Sequence, residues 1–114
     1  MSATKMFVLS APPEGVEESE FHQWYDLHEA ELLELPGFRS AERFHLTPLR
    51  SSSGDPLPWT HLIAYEIEGP FDVAWDALRA AVDAGQMYFP DWYPQGISAA
   101  ALGELLTGPA APEA

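Results

Sequence analysis

Residues 18–38 read ESEFHQWYDLHEAELLELPGF. Phe21, Trp24, Tyr25, His28, Leu32 and Leu35 recur at the spacing of one helical face, which predicts an amphipathic helix packed on a core. His22, Gln23, Asp26, Glu29, Ala30 and Glu34 take the other side, and Leu33 falls among them. His28 therefore occupies the middle of the apolar stripe, where a plain hydrocarbon side chain is the default. Ser19 is the expected N-cap, Glu20 complements the helix dipole from the first turn, and Pro36-Gly37 is the stop.

Outward from this helix, composition sets the bounds. The chain has 114 residues, no cysteine, and 18 acidic against 5 basic side chains, for a formal net charge of −13. One domain with one core is expected, over residues 1–106, followed by a frayed tail at 107–114. So negative a field repels phosphate backbones and anionic lipid, which argues against nucleic-acid and membrane partners. Without cysteine there is no disulfide or thiol chemistry. The first residues, MSATKMFVLSAPPEG, carry too short an apolar run for a signal segment, and no stretch approaches the ~20 apolar residues of a membrane span, so a cytoplasmic protein is expected.

In chain order, residues 4–10 (TKMFVLS) suit a buried strand closed by Pro12, Pro13 and Gly15. After the helix, residues 38–47 (FRSAERFHLT) alternate imperfectly and predict a strand with one wetter face. Residues 48–58, rich in Ser, Gly and Pro, predict an exposed connection. Residues 59–68 (WTHLIAYEIE) alternate most clearly, with Trp59, His61, Ile63, Tyr65 and Ile67 on one face. Asp72 is the expected N-cap of a second helix over residues 73–84, stopped by Gly85. Residues 86–96 (QMYFPDWYPQG) hold more aromatic surface than a connector requires. Residues 97–106 (ISAAALGELL) favour helix by propensity, yet a strand completes the topology.

That order is α+β and ferredoxin-like: βαββαβ, a four-stranded antiparallel sheet with two helices on one face. The other sheet face is left bare, and an apolar face of that size predicts a homodimer, sheet against sheet.

The pieces Trp24-Tyr25-Asp26-Leu27-His28, Leu35-Pro36-Gly37-Phe38 and Ala41-Glu42-Arg43-Phe44 resemble the EthD-like branch of the dimeric α/β-barrel superfamily. The resemblance covers the first two strands and their helix in detail and the rest as element order. It implies a homodimeric α/β barrel with a pocket between helices and sheet in each subunit. Among the superfamily are cofactor-free polyketide cyclases, lactone isomerases and small monooxygenases. Its helix histidine before the L-P-G turn maps onto His28.

A neutral imidazole facing a pocket suits proton removal next to a carbonyl, which makes His28 the first candidate general base or acid. The alternative is a core histidine satisfied by a backbone carbonyl, Asp26 or Glu31. His61 and Tyr65, on one strand face, are candidate helpers that polarise a carbonyl or steady an enolate, or else dimer packing. Tyr25 is a further candidate hydrogen-bond donor. Trp24, Trp59, Tyr88, Phe89 and Trp92 are candidate walls or lid for an apolar or aromatic small molecule. His22 and His45 are expected at the surface or a strand edge. No metal site is expected: His28 and Glu31 are three apart, but no H-E-x-x-H and no second histidine share that face.

The favoured expectation is a cofactor-independent acid/base enzyme, a cyclase, isomerase or decarboxylase, acting on a polyketide-like or aromatic carbonyl compound. A cofactor-free or haem-cleaving monooxygenase and a non-catalytic dimeric binding protein for an apolar ligand are the alternatives.

Overall fold

The computed structural model describes residues 4–93 and 97–112. Its elements follow the order β1 (Thr4–Ala11), α1 (Glu18–Leu33), β2 (Phe38–His45), β3 (His61–Ile67), α2 (Phe71–Asp83) and β4 (Ile97–Glu104). The strands form one sheet in the order β2-β3-β1-β4, and every neighbouring pair is antiparallel. This is the ferredoxin-like plan that the element order predicts. Residues 94–96, the end of the aromatic segment, and residues 113–114 of the expected tail lie outside the described residues, as do residues 1–3.

The apolar stripe of α1 meets the sheet as its period requires: Phe21, Trp24, Tyr25 and Leu32 are buried, while Leu33 is exposed on the opposite side. They join Met6 of β1, Ile63, Tyr65 and Ile67 of β3, Phe38, and Ala74 and Ala81 of α2 in one core. Each large apolar side chain withdrawn from water there contributes roughly 1.5–3 kcal/mol. Both helix starts differ from expectation. Glu17, not Ser19, is the N-cap of α1, and Pro70, not Asp72, that of α2. Neither start uses a side-chain cap. In α2 the proline ring fixes the entry dihedral, and Asp72 sits in the first turn, where its charge still complements the dipole.

β4 is a strand against the propensity of its alanines and leucines. It pairs with β1 from Thr4↔Glu104 to Ala11↔Ile97, and an otherwise open edge of β1 outweighs the small local preference. Its Gly103 lies against the Phe7 ring, which would have to shift for a Cβ that would stand 2.6 Å from Cε2. Gly37 fills two roles at the α1–β2 turn: its φ is +91°, and a Cβ would stand 2.6 Å from that of Ala74.

The pairing also sorts the sheet faces. Met6, Val8, Ser10, His61, Ile63 and Tyr65 look toward the helices. By alternation Phe7, Leu9, Leu62, Ala64 and Phe44 lie on the face that no helix covers. No helix among the described residues is long and apolar enough to cross a membrane.

Candidate functional site

Two cavities open between sheet and helices, and α1 divides them. The larger, about 270 Å³, is lined by Met6, Val8, Ile63 and Tyr65 from the sheet and Tyr25, His28 and Leu32 from α1. Trp75 and Leu78 of α2, Tyr93, and residues 98–100 of β4 complete it. The second, about 230 Å³, is lined by Ser10, Phe21, His22, Tyr25, Arg43, Phe44, His45, His61, Leu62 and Ile63. Tyr25 and Ile63 are common to both.

His28 therefore borders a void, as a working imidazole needs. Its ring stacks on Trp24 at a centroid distance of 4.6 Å and a plane angle of 17°, with Phe89 5.7 Å away. Burial pushes its pKa down to about 4, so the ring is neutral near pH 7. Nδ1 faces Oε1 of Glu31 at 3.9 Å, beyond hydrogen-bond reach, and neither atom has a hydrogen-bond partner among the described residues. The other oxygen of Glu31 accepts the backbone N–H of Tyr88 at 3.1 Å. Asp26, the second expected partner of His28, is instead paired with Arg43.

Tyr65 is the largest fully buried side chain among the described residues, 1% exposed, and its hydroxyl has no hydrogen-bond partner among them. Burial raises its pKa well above the ordinary phenol value. Burial likewise raises Tyr25 and Tyr93, with a hydrogen bond to Ser10 opposing it at Tyr25. The cavity thus holds a neutral imidazole acceptor and phenols that stay protonated, set among apolar walls.

His61 does not join this group. Four residues along a strand span ~13 Å, and Tyr25 comes down between the two ends, so His61 and Tyr65 open into different cavities. His61 is 9% exposed and takes Thr60 Oγ1 as partner of its Nδ1 at 2.8 Å. Burial lowers its pKa, opposed by the Glu18 carboxylate 3.3 Å from its Nε2. Around it stand His22 and His45, each with its ring centroid 5.2 Å from that of His61.

The expected aromatic walls divide as well. Trp24 donates its indole N–H to the carbonyl of Tyr88 at 2.9 Å, which fastens residues 86–93 across α1. Phe89 and Trp92 pack on Trp24 at centroid distances of 6.2 and 5.6 Å. Tyr88 is exposed and lines a shallow groove with Trp24 and Trp92. These side chains roof the Trp24–His28 stack and are not walls of the His28 cavity. Trp59 precedes β3 and lines neither cavity. Tyr93 and Trp75 line the cavity without any local pattern that ties them to residue 28, whereas Glu31, the expected partner three residues on, faces the ring. His45, read as a strand-edge residue, is indeed exposed, but the strand register sets it directly opposite His61.

No family model and no curated protein matches the sequence. Among solved structures, the chain is similar to the protein At3g17210 of Arabidopsis thaliana, with a TM-score of 0.62 and 8% identity over 96% of this chain and 99% of that one. It is also similar to a dimeric ferredoxin-like protein of unknown function from Thermobifida fusca, with a TM-score of 0.53 and 11% identity over 91% of this chain and 92% of that one. At such identities the likeness is one of architecture, and with the strand order and pairing described above it identifies the fold as ferredoxin-like.

Proposed function

We propose that this protein is a cofactor-independent homodimeric enzyme that moves a proton on a small aromatic or polyketide-like carbonyl compound held in the His28 cavity. The observation that carries this reading is one void lined by both an imidazole and a buried phenol whose hydroxyl lacks a partner among the described residues. A buried polar group left unpaired costs about 1–3 kcal/mol, so it is retained where a ligand supplies the missing partner. A ligand carbonyl oxygen seated against Tyr65, with Tyr25 beside it, receives the phenol's hydrogen bond. The carbon next to that carbonyl then lies toward His28.

His28 accepts the proton. A base held near pKa 4 is weak, but a negative charge growing on the enolate oxygen raises the imidazole's affinity for a proton as the reaction proceeds. The phenols donate to that oxygen and return no proton, because burial makes phenolate costly. Glu31 faces Nδ1 and favours the tautomer that carries hydrogen there, leaving Nε2 as the acceptor. A cavity of about 270 Å³ suits a ligand of one or two rings.

The resemblance of residues 24–28 and 35–38 to the EthD-like branch supports the same reading, and the dimeric state of the similar Thermobifida fusca protein supports the homodimer alone. A second copy laid on the uncovered sheet face would bury Phe7, Leu9 and Phe44.

The test is hydrogen–deuterium exchange at the α-carbon of one- and two-ring aryl ketones such as 2-tetralone, followed by NMR with and without oxygen. Exchange above the buffer rate, unaffected by oxygen and reduced at least ~100-fold by His28→Gln, supports the assignment. Exchange no faster than buffer across the panel, or equal in the variant, removes it.

A further inference from the structure

The second cavity carries chemistry that proton transfer at His28 does not use. His45 closes β2 and His61 opens β3, and the antiparallel register sets them directly opposite each other. α1 begins above them, which brings Glu18 to the same spot. One ligand atom each from Glu18, His45 and His61 lie within 4.8 Å of one another. The Glu18 Oε2 to His61 Nε2 separation is 3.3 Å, already the edge length of a coordination polyhedron, about 3–3.5 Å when metal–ligand bonds are 2.0–2.2 Å.

A second, independent feature points to a missing ligand. Nε2 of His61 is buried and has no hydrogen-bond partner among the described residues. Its ring is locked from behind, because Nδ1 is engaged by Thr60 Oγ1 at 2.8 Å. An outer partner on one ring nitrogen that aims the other at a shared point is how metal-binding histidines are held. Should Nδ1 carry the hydrogen, the lone pair of Nε2 confronts a carboxylate oxygen at 3.3 Å, a repulsive arrangement that a cation between them reverses.

We infer that Glu18, His45 and His61 form a binding site for a divalent first-row transition ion, with its remaining coordination positions turned toward the adjoining cavity. Two imidazoles and one carboxylate suit zinc, cobalt or ferrous iron and are too nitrogen-rich for calcium or magnesium. His22 Nε2 lies 3.2 Å from the same Glu18 oxygen and holds that carboxylate in place. Arg43 also lines the cavity, but Asp26 and Glu29 pair with its guanidinium, and the chain's net charge of −13 favours a cation at the mouth. Glu18 and His45 are exposed, so both close the remaining distance by rotamer changes alone. The adjoining cavity, about 230 Å³ and walled by Phe21, Tyr25 and Ile63, is large enough for a small oxygen-donor ligand on the ion.

The experiment uses the full chain without an affinity tag, stripped with a chelator and titrated with Zn²⁺ by calorimetry and with Co²⁺ by visible absorption. One ion per chain, with a Kd in the micromolar range or tighter and ligand-field bands of nitrogen and oxygen ligation, is the expected result. His45→Ala and Glu18→Gln, at exposed positions that leave the core intact, each weaken binding at least about tenfold, while His28→Gln leaves it unchanged. Binding weaker than about 1 mM, binding indifferent to both ligand substitutions, or loss in His28→Gln instead overturns the assignment. None of these readouts depends on turnover, so the outcome is separate from that of the ketone-exchange experiment.

Discussion

Trp24 lies nearly parallel to His28, and the same indole that covers the imidazole donates its N–H to the carbonyl of Tyr88. One side chain thus sets the environment of the central histidine and anchors the segment that roofs it. Trp24→Phe keeps much of the apolar contact and removes the donor, with an expected loss of about 1–2 kcal/mol in denaturant unfolding. With the roof loosened, water reaches residue 28, and its imidazole titration followed by NMR moves upward toward the ordinary value near 6.5. A titration that stays near 4 would show that burial comes from elsewhere.

The depressed pKa of His28 also makes a pH-dependent contribution to stability. Between about pH 4 and 6.5 the unfolded chain binds a proton that the folded chain does not, so stability rises with pH across that window. The contribution is fully present above 6.5 and is lost as pH falls through 4. Its size is about 3 kcal/mol, from a pKa of about 4 in the folded chain against about 6.5 in the unfolded one. His28→Gln abolishes this part of the profile, so the difference between wild-type and variant unfolding free energies, measured from pH 4 to 7, has a slope confined to that interval.

Tyr65→Phe separates a functional hydroxyl from a structural one. Because the group has no protein partner among the described residues, its removal leaves stability unchanged or raises it by up to about 1 kcal/mol. Affinity for the aryl ketones drops at least tenfold in the same variant, by isothermal titration, as a hydrogen bond worth 1.4 kcal/mol or more disappears. Destabilisation by 2 kcal/mol or more would mean that the hydroxyl supports the fold.

Gly15 and Gly37 share a positive φ, +88° and +91°, but differ in surroundings. Gly15→Ala meets nothing within 4 Å and is expected to cost about 1–2 kcal/mol from backbone strain alone. Gly37→Ala adds a collision with Ala74 and is expected to cost about 2 kcal/mol more, measured as thermal or denaturant midpoints.

The uncovered sheet face predicts assembly. Leu9→Glu places a charge at its centre and is expected to convert a dimer to a monomer in sedimentation velocity, with little change in the helix signal of circular dichroism. A wild type that sediments as a monomer removes the dimer.

The α1 stripe was legible from residues 18–38 because helical period depends on neighbours three and four apart, and the sheet confirms it at Phe21, Trp24, Tyr25 and Leu32. The alternation of His61, Ile63, Tyr65 and Ile67 announced β3 in the same way. β4 was legible only through the topology it completes, since alanine-rich composition points the other way. His28 was singled out as a titratable group on an apolar face, a contradiction visible within one helix. That His61 parts company with it was not visible, because spacing along a strand tells which face a residue takes but not where a crossing helix divides the space above it. Glu18, His45 and His61 come from three elements and share no local pattern; strand register and the seating of α1 bring them together. Sequence by itself determined the element order and the buried faces of α1 and β3, which rest on short-range periodicity. Only the tertiary structure decided which polar groups share a cavity, because that depends on distances between segments far apart in the chain.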